Sequence, residues 1–170
     1  MPELSRKTNR FLLNLFFFVY LLILAFFLFR TRLQMRSFSL VPFRSIWTYL
    51  TDDDPTLRAF ALNNILGNIA LFMPMGIYFM VFRRRKRPLR CVLRVMLVSI
   101  AVELVQYFTR TGIGDVDDVL LCTLGGYLGT LIYRALLSVF ETHDNVRFAV
   151  SLLAPVAAAA FLLIFSLYSK

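Results

Sequence analysis

Histidine occurs once in these 170 residues and cysteine only twice, and no His/Cys group has the spacing of a metal site. There is no Gly-rich phosphate loop, no internal repeat and no low-complexity linker. Charge is scarce as well: 17% of the residues are Asp, Glu, Lys or Arg, against ~25% in an ordinary soluble domain. What fills the chain instead is apolar. Hydrophobic residues make up 59%, with eighteen Phe, and the mean hydropathy is +0.70. That composition excludes both a water-soluble fold and a disordered chain, because so much apolar surface cannot stay hydrated.

Five runs are long and apolar enough for a bilayer core, which takes ~20 helical residues: 11–29, 59–82, 91–108, 116–140 and 148–168. They leave no room for a separate soluble domain, so residues 1–170 are expected to form a single all-α membrane domain of about five transmembrane helices. The first run follows Arg6, Lys7 and Arg10 as a signal peptide would, but it ends in Phe-Arg with no A-x-A site, and is expected to be a retained helix. Cys91 and Cys122 fall near opposite ends of the bilayer on this topology, too far apart for a disulfide. His143 sits in a short polar loop.

The net charge of +9 would point to nucleic acid in a soluble protein; here position accounts for it, and no nucleic-acid partner is expected. With the amino end in the cytoplasm, twelve Lys and Arg lie inside and seven outside, as the positive-inside bias requires. The run Arg83-Arg84-Arg85-Lys86-Arg87 reads as an anchor for a tight cytoplasmic turn, with attraction of anionic lipid as the second reading.

The informative residues are the polar ones within the apolar runs, where a charge costs ~2.5–3.5 kcal/mol on insertion scales. Asn64 and Asn68 share a face of the second run, which Pro74 interrupts. Ser99, Glu103 and Gln106 align on one stripe of the third. Asp115, Asp117 and Asp118 crowd the start of the fourth, where a helix amino terminus favours carboxylates. Further along that run Cys122, Gly125, Gly126 and Gly129 are small, and Gly125-xxx-Gly129 lets another helix approach closely. On the expected topology all three polar sets, with the cations of the first loop, lie toward one membrane face. Such convergence fits either a pocket opening outward or interhelical hydrogen-bond glue.

Four segments carry a family resemblance: SLVPFRSI (39–46), NNILGNIALFMPMGIYF (63–79), SIAVELVQYF (99–108) and GDVDDVLLCTLGGYLG (114–129). In this order, across residues 39–129, they resemble the signature blocks of the VanZ-like family of small bacterial membrane proteins, named for a teicoplanin-resistance accessory protein. The matching positions are Pro42, Phe43 and Arg44; Asn64, Asn68, Phe72, Pro74 and Gly76; Ser99, Glu103 and Gln106; and Asp115, Asp117, Asp118, Gly125 and Gly129. Where the family usually carries Asn, this chain has Ser39 and Cys122. The resemblance implies a multi-pass protein of the bacterial cytoplasmic membrane with a cell-envelope role, including reduced susceptibility to teicoplanin-type lipoglycopeptides in some members. It implies no catalytic mechanism and no cofactor.

Three readings of function remain open at this stage. In the first, Arg44 offers its planar fork to a phosphate or carboxylate, and a pocket of Glu103, Gln106 and Asp118 holds a lipid-linked envelope precursor or a lipoglycopeptide. In the second, Asp115, Asp117, Asp118 and Glu103 hold a divalent cation in a membrane enzyme; no nucleophile is marked, which weighs against an enzyme. In the third, the chain is a small transporter or flippase, or a helper subunit packing through Gly125 and Gly129 against a membrane partner.

Overall fold

A computed structural model describes residues 2–30, 38–39, 41–51, 53–82, 87–109 and 114–168. Six helices account for nearly all of them: α1 (Pro2–Arg30), α2 (Arg44–Leu50), α3 (Pro55–Phe82), α4 (Pro88–Thr109), α5 (Val116–Phe140) and α6 (His143–Tyr168). Two short strands, β1 (Phe38–Ser39) and β2 (Gly114–Asp115), pair in parallel with Phe38 opposite Gly114 and Ser39 opposite Asp115. Most of the cationic run, Arg83 to Lys86, lies outside the described residues.

Helix boundaries follow local chemistry. Pro55 and Pro88 open α3 and α4 at the position where a missing N–H costs nothing and a fixed φ helps. Asp54 caps α3: its Oδ1 accepts the Thr56 amide at 2.8 Å and the Thr56 hydroxyl at 2.7 Å. α5 ends at Phe140, where Glu141 takes a left-handed φ of 62° and donates its N–H to the Leu137 carbonyl.

Four helical segments are long and apolar enough to cross a membrane: Thr8–Phe29, Pro55–Phe82, Pro88–Thr109 and Val116–Phe140. They correspond to the first four expected spans, three of them lengthened at the amino end because helix formation runs past the apolar core into the interface. The fifth expected span, 148–168, falls in α6. It is not among the four, and side chains beyond residue 159 lie outside the described ones. Large apolar side chains such as Phe11, Phe18, Phe26, Leu66 and Leu97 are exposed, as lipid contact requires. An unexpected element is α2, seven residues in the first loop.

The chain divides into two compact units, one formed by residues 26–134 and the other by residues 1–25 with 135–170. In the larger unit α3 and α5 meet along a seam of glycines. A Cβ on Gly125 would stand 2.3 Å from the Ile69 carbonyl oxygen, one on Gly129 2.1 Å from that of Met73, and one on Gly76 2.1 Å from that of Gly126. Only hydrogen fits at these points, so the two backbones touch. Gly126 faces Val95 of α4. The seam is taken up by the chain's own α3, the close helix approach expected of Gly125 and Gly129. Around it Phe72, Met75, Val81, Val95, Thr130 and Tyr133 are fully buried.

Candidate functional site: an acidic clasp at the start of α5

The amino end of α5 leaves unpaired N–H groups and a partial positive charge, and Asp115 answers the first need by accepting the Asp117 amide on Oδ1 at 3.0 Å. The Asp115 amide in turn donates to Glu103 Oε2 of α4 at 3.1 Å. Glu103 is 7% exposed, and this bond fixes the end of α4 to the start of α5. One turn earlier Ser99 is buried as well. Cys122 occupies the layer beneath the carboxylates, and neither Cys91 nor Cys122 forms a disulfide.

Asp117, only 1% exposed, points away from Asp118 and takes the first loop. Its Oδ1 accepts the Phe43 amide and its Oδ2 the Ile46 amide at 3.3 Å. These are N–H groups of the amino terminus of α2, whose own N-cap residue, Phe43, supplies no side-chain cap. Asp117 is thus the N-cap of a helix more than seventy residues away in sequence. It also holds Phe43 at φ 63°, a left-handed conformation that costs a bulky residue ~1–2 kcal/mol.

Asp118 faces α3. Its Oδ1 accepts the Asn68 side-chain amide at 2.6 Å and that of Asn64 at 3.2 Å. The i, i+4 spacing of the two asparagines puts both donors on one stripe. Gln106 leaves the carboxylates alone and donates to the Leu28 carbonyl near the end of α1 at 2.7 Å. The structure thus brings Asn64, Asn68, Glu103, Asp115, Asp117 and Asp118 together in one cluster. Ser99 lies beneath it and Gln106 beside it, and the Gly76, Gly125 and Gly129 seam runs below. Arg44 begins α2 with an exposed side chain, next to exposed Phe43 and Trp47. Pro74 lies within α3, in the stretch that meets α5.

Four carboxyl groups this close repel one another. The offsetting terms are the N–H donors and the α5 dipole. The carboxylates take separate donors: Asp117 the amides at the start of α2, Asp118 the side-chain amides of α3, Asp115 the Asp117 amide and Glu103 the Asp115 amide. Among the described residues no group of three or more His, Cys, Asp or Glu is arranged to hold a metal ion. Chemically the arrangement is a clasp that gathers helix ends around the first turn of α5.

Sequence reasoning placed the acidic residues at one end but missed their backbone partners. The Phe43, Ile46 and Asp115 amides and the Leu28 carbonyl carry no side-chain signature. The shift of Asp118 toward two asparagines was signalled by the spacing of Asn64 and Asn68.

A family model described as VanZ/LLP1 matches residues 11–138. Protein VanZ of Enterococcus faecium is similar to this chain, with 25% identity over 100 residues, covering 59% of this chain and 54% of that protein. The chain therefore spans about half the length of this curated relative. No solved structure matches. With a family match across three quarters of its residues and four helices able to span a membrane, the chain belongs to the VanZ/LLP1 family of membrane proteins.

Proposed function

We propose that this protein works in the bacterial cytoplasmic membrane, amino end inside, where it binds an anionic lipid-linked envelope component at the outer face and lowers susceptibility to teicoplanin-type lipoglycopeptides. The orientation rests on the excess of Lys and Arg in the segments assigned to the inside. The antibiotic class rests on family membership.

One observation carries the binding reading: the exposed triplet Phe43, Arg44 and Trp47 sits on a short helix that Asp117 fixes at its first turn. A guanidinium offers a planar fork to a phosphate or carboxylate. Aromatic side chains seat at the boundary between lipid and water. Held in place by a buried carboxylate, such a group loses less freedom on binding than one on a mobile loop. The acidic clasp on this reading is the support and Arg44 the contact.

The test is teicoplanin and vancomycin susceptibility in a sensitive Gram-positive host carrying the wild type, Arg44→Gln, Glu103→Gln or Asp118→Asn, with membrane abundance followed by immunoblot. Protection selective for teicoplanin, lost in Arg44→Gln at normal abundance, supports the proposal. Absence of protection by the wild type, or equal protection by wild type and Arg44→Gln, overturns it.

A further inference from the structure

The smaller unit contains a cavity of about 190 Å³ lined by Asn9, Arg10, Leu13, Asp144 and Arg147. Asn9 and Arg10 stand at the head of the first apolar run, and Asp144 and Arg147 lie in the first turns of α6. The first crossing segment starts at Thr8 and the fourth ends at Phe140. Four crossings return a chain to the side on which it began, which puts the residues lining the cavity at one membrane boundary.

Its lining is chemically specific. Arg10, Arg147 and Asp144 all line it, and Arg147 Nη1 contacts Asp144 Oδ1 at 3.2 Å. That leaves an excess of one positive charge, which matches a monoanion. Asn9 Oδ1 is buried and accepts no hydrogen bond from the described residues, and a buried acceptor calls for a donor. The volume is several times the ~30 Å³ share of a water molecule and below the ~300 Å³ at which pockets for drug-sized ligands begin. Leu13, 2% exposed, closes the apolar side, and Phe11 beside it is exposed as a lipid-facing residue is.

We infer that this cavity is a binding site for the headgroup of an anionic phospholipid, with Arg10 and Arg147 taking the phosphodiester and Asn9 Oδ1 accepting a hydrogen bond from a headgroup hydroxyl. The chemistry is a singly charged phosphate carrying a hydroxyl, as in phosphatidylglycerol. The acyl chains remain in the bilayer, because the cavity holds only the polar part. This site is independent of the outer-face function proposed above.

The experiment is native mass spectrometry of the full chain in neutral detergent, titrated with phosphatidylglycerol, phosphatidylcholine or soluble glycerol 3-phosphate. Phosphatidylglycerol adducts are expected to exceed phosphatidylcholine adducts at least fivefold. Arg10→Gln and Asn9→Leu should each lower them about fivefold, the size of one hydrogen bond or more. Arg90→Gln, an exposed cation of α4, should leave them unchanged. Equal retention of the two lipids, or equal loss in Arg90→Gln, overturns the site, since either means unspecific attraction. Undiminished binding in both Arg10→Gln and Asn9→Leu overturns it too. Full competition by glycerol 3-phosphate at the lipid's concentration overturns the lipid assignment in favour of a soluble phosphate.

Discussion

Replacing Asp117 by alanine should release α2 while leaving α5 in place. Two amides, Phe43 and Ile46, donate to its carboxylate, and a hydrogen bond to a charged acceptor contributes ~1.5–3 kcal/mol. Because Phe43 is exposed, water partly replaces the lost acceptor, so the lower value applies to each bond and the total is about 3 kcal/mol. At ~1.36 kcal/mol per tenfold, the local opening of α2 becomes roughly 100-fold more frequent. Asp117→Asn keeps one acceptor oxygen and turns an NH2 toward the other donor, so about half of the free energy is lost and opening rises about tenfold. Amide hydrogen exchange in lipid nanodiscs reads this directly at Phe43 and Ile46, with Leu121 and Thr130 of α5 as internal references. Unchanged exchange at Phe43 and Ile46 in Asp117→Ala would refute the capping argument, and so would a loss of protection spread evenly over α5.

Gly129→Ala places a methyl 2.1 Å from the Met73 carbonyl oxygen, so α3 and α5 must separate by about 1 Å, with a loss of ~1–3 kcal/mol seen as a lower melting temperature in micelles. Gly67→Ala, with nothing within 4 Å of its Cβ, should leave that temperature unchanged or raise it slightly. Asn68→Leu combined with Asp118→Leu in a double-mutant cycle should give a coupling of about 0.6–1.7 kcal/mol, the range for polar contacts between membrane helices; a coupling near zero would reduce the 2.6 Å contact to coincidence. Asp54 provides a pH-dependent step. The Thr56 hydroxyl and amide bound to it hold its carboxyl below the usual range, so the folded form carries the lower value. Its stabilisation is present above about pH 4 and fades as pH falls through the folded value. Exchange of the Thr56 and Leu57 amides should accelerate on acidification relative to the intrinsic rate, and Asp54→Ala should abolish that acid-dependent step.

Much of the larger unit was legible in the sequence, because a bilayer turns composition into length. Four runs of apolar residues gave four helices within a few residues of their bounds, and the alternation of crossings alone put Asn64, Glu103 and Asp117 at one end. The small residues of α5 marked its central position, yet not which helix would fill the gap, since Gly125 and Gly129 look the same whether α3 or another protein approaches. The segment RSIWTYL escaped detection for a physical reason. Two turns of helix are too short to show a period of 3.6, and its amino terminus is capped by a residue of another helix, so neither internal nor flanking signals exist. The division of labour among the aspartates was equally hidden. Nothing in the pattern D-x-D-D distinguishes the residue that caps its own helix from the one that caps a distant helix or the one that binds two amides.

The capping of α2 from α5 has a consequence for biogenesis. Phe43 precedes Asp117 by 74 residues, and at ~5–20 residues per second the carboxylate leaves the ribosome roughly 4–15 s after the turn it secures. During that interval α3 and α4 are synthesised, while the 41–50 segment has an uncapped helix start and two aromatic side chains, Phe43 and Trp47, ready to lie in the headgroup layer. Insertion of α5 then delivers the cap, the Asn64 and Asn68 partner and the Glu103 partner in a single step. A ribosome stalled before residue 116 should therefore leave the first loop open to protease, and one stalled after the α5 span has cleared the exit tunnel should leave it protected.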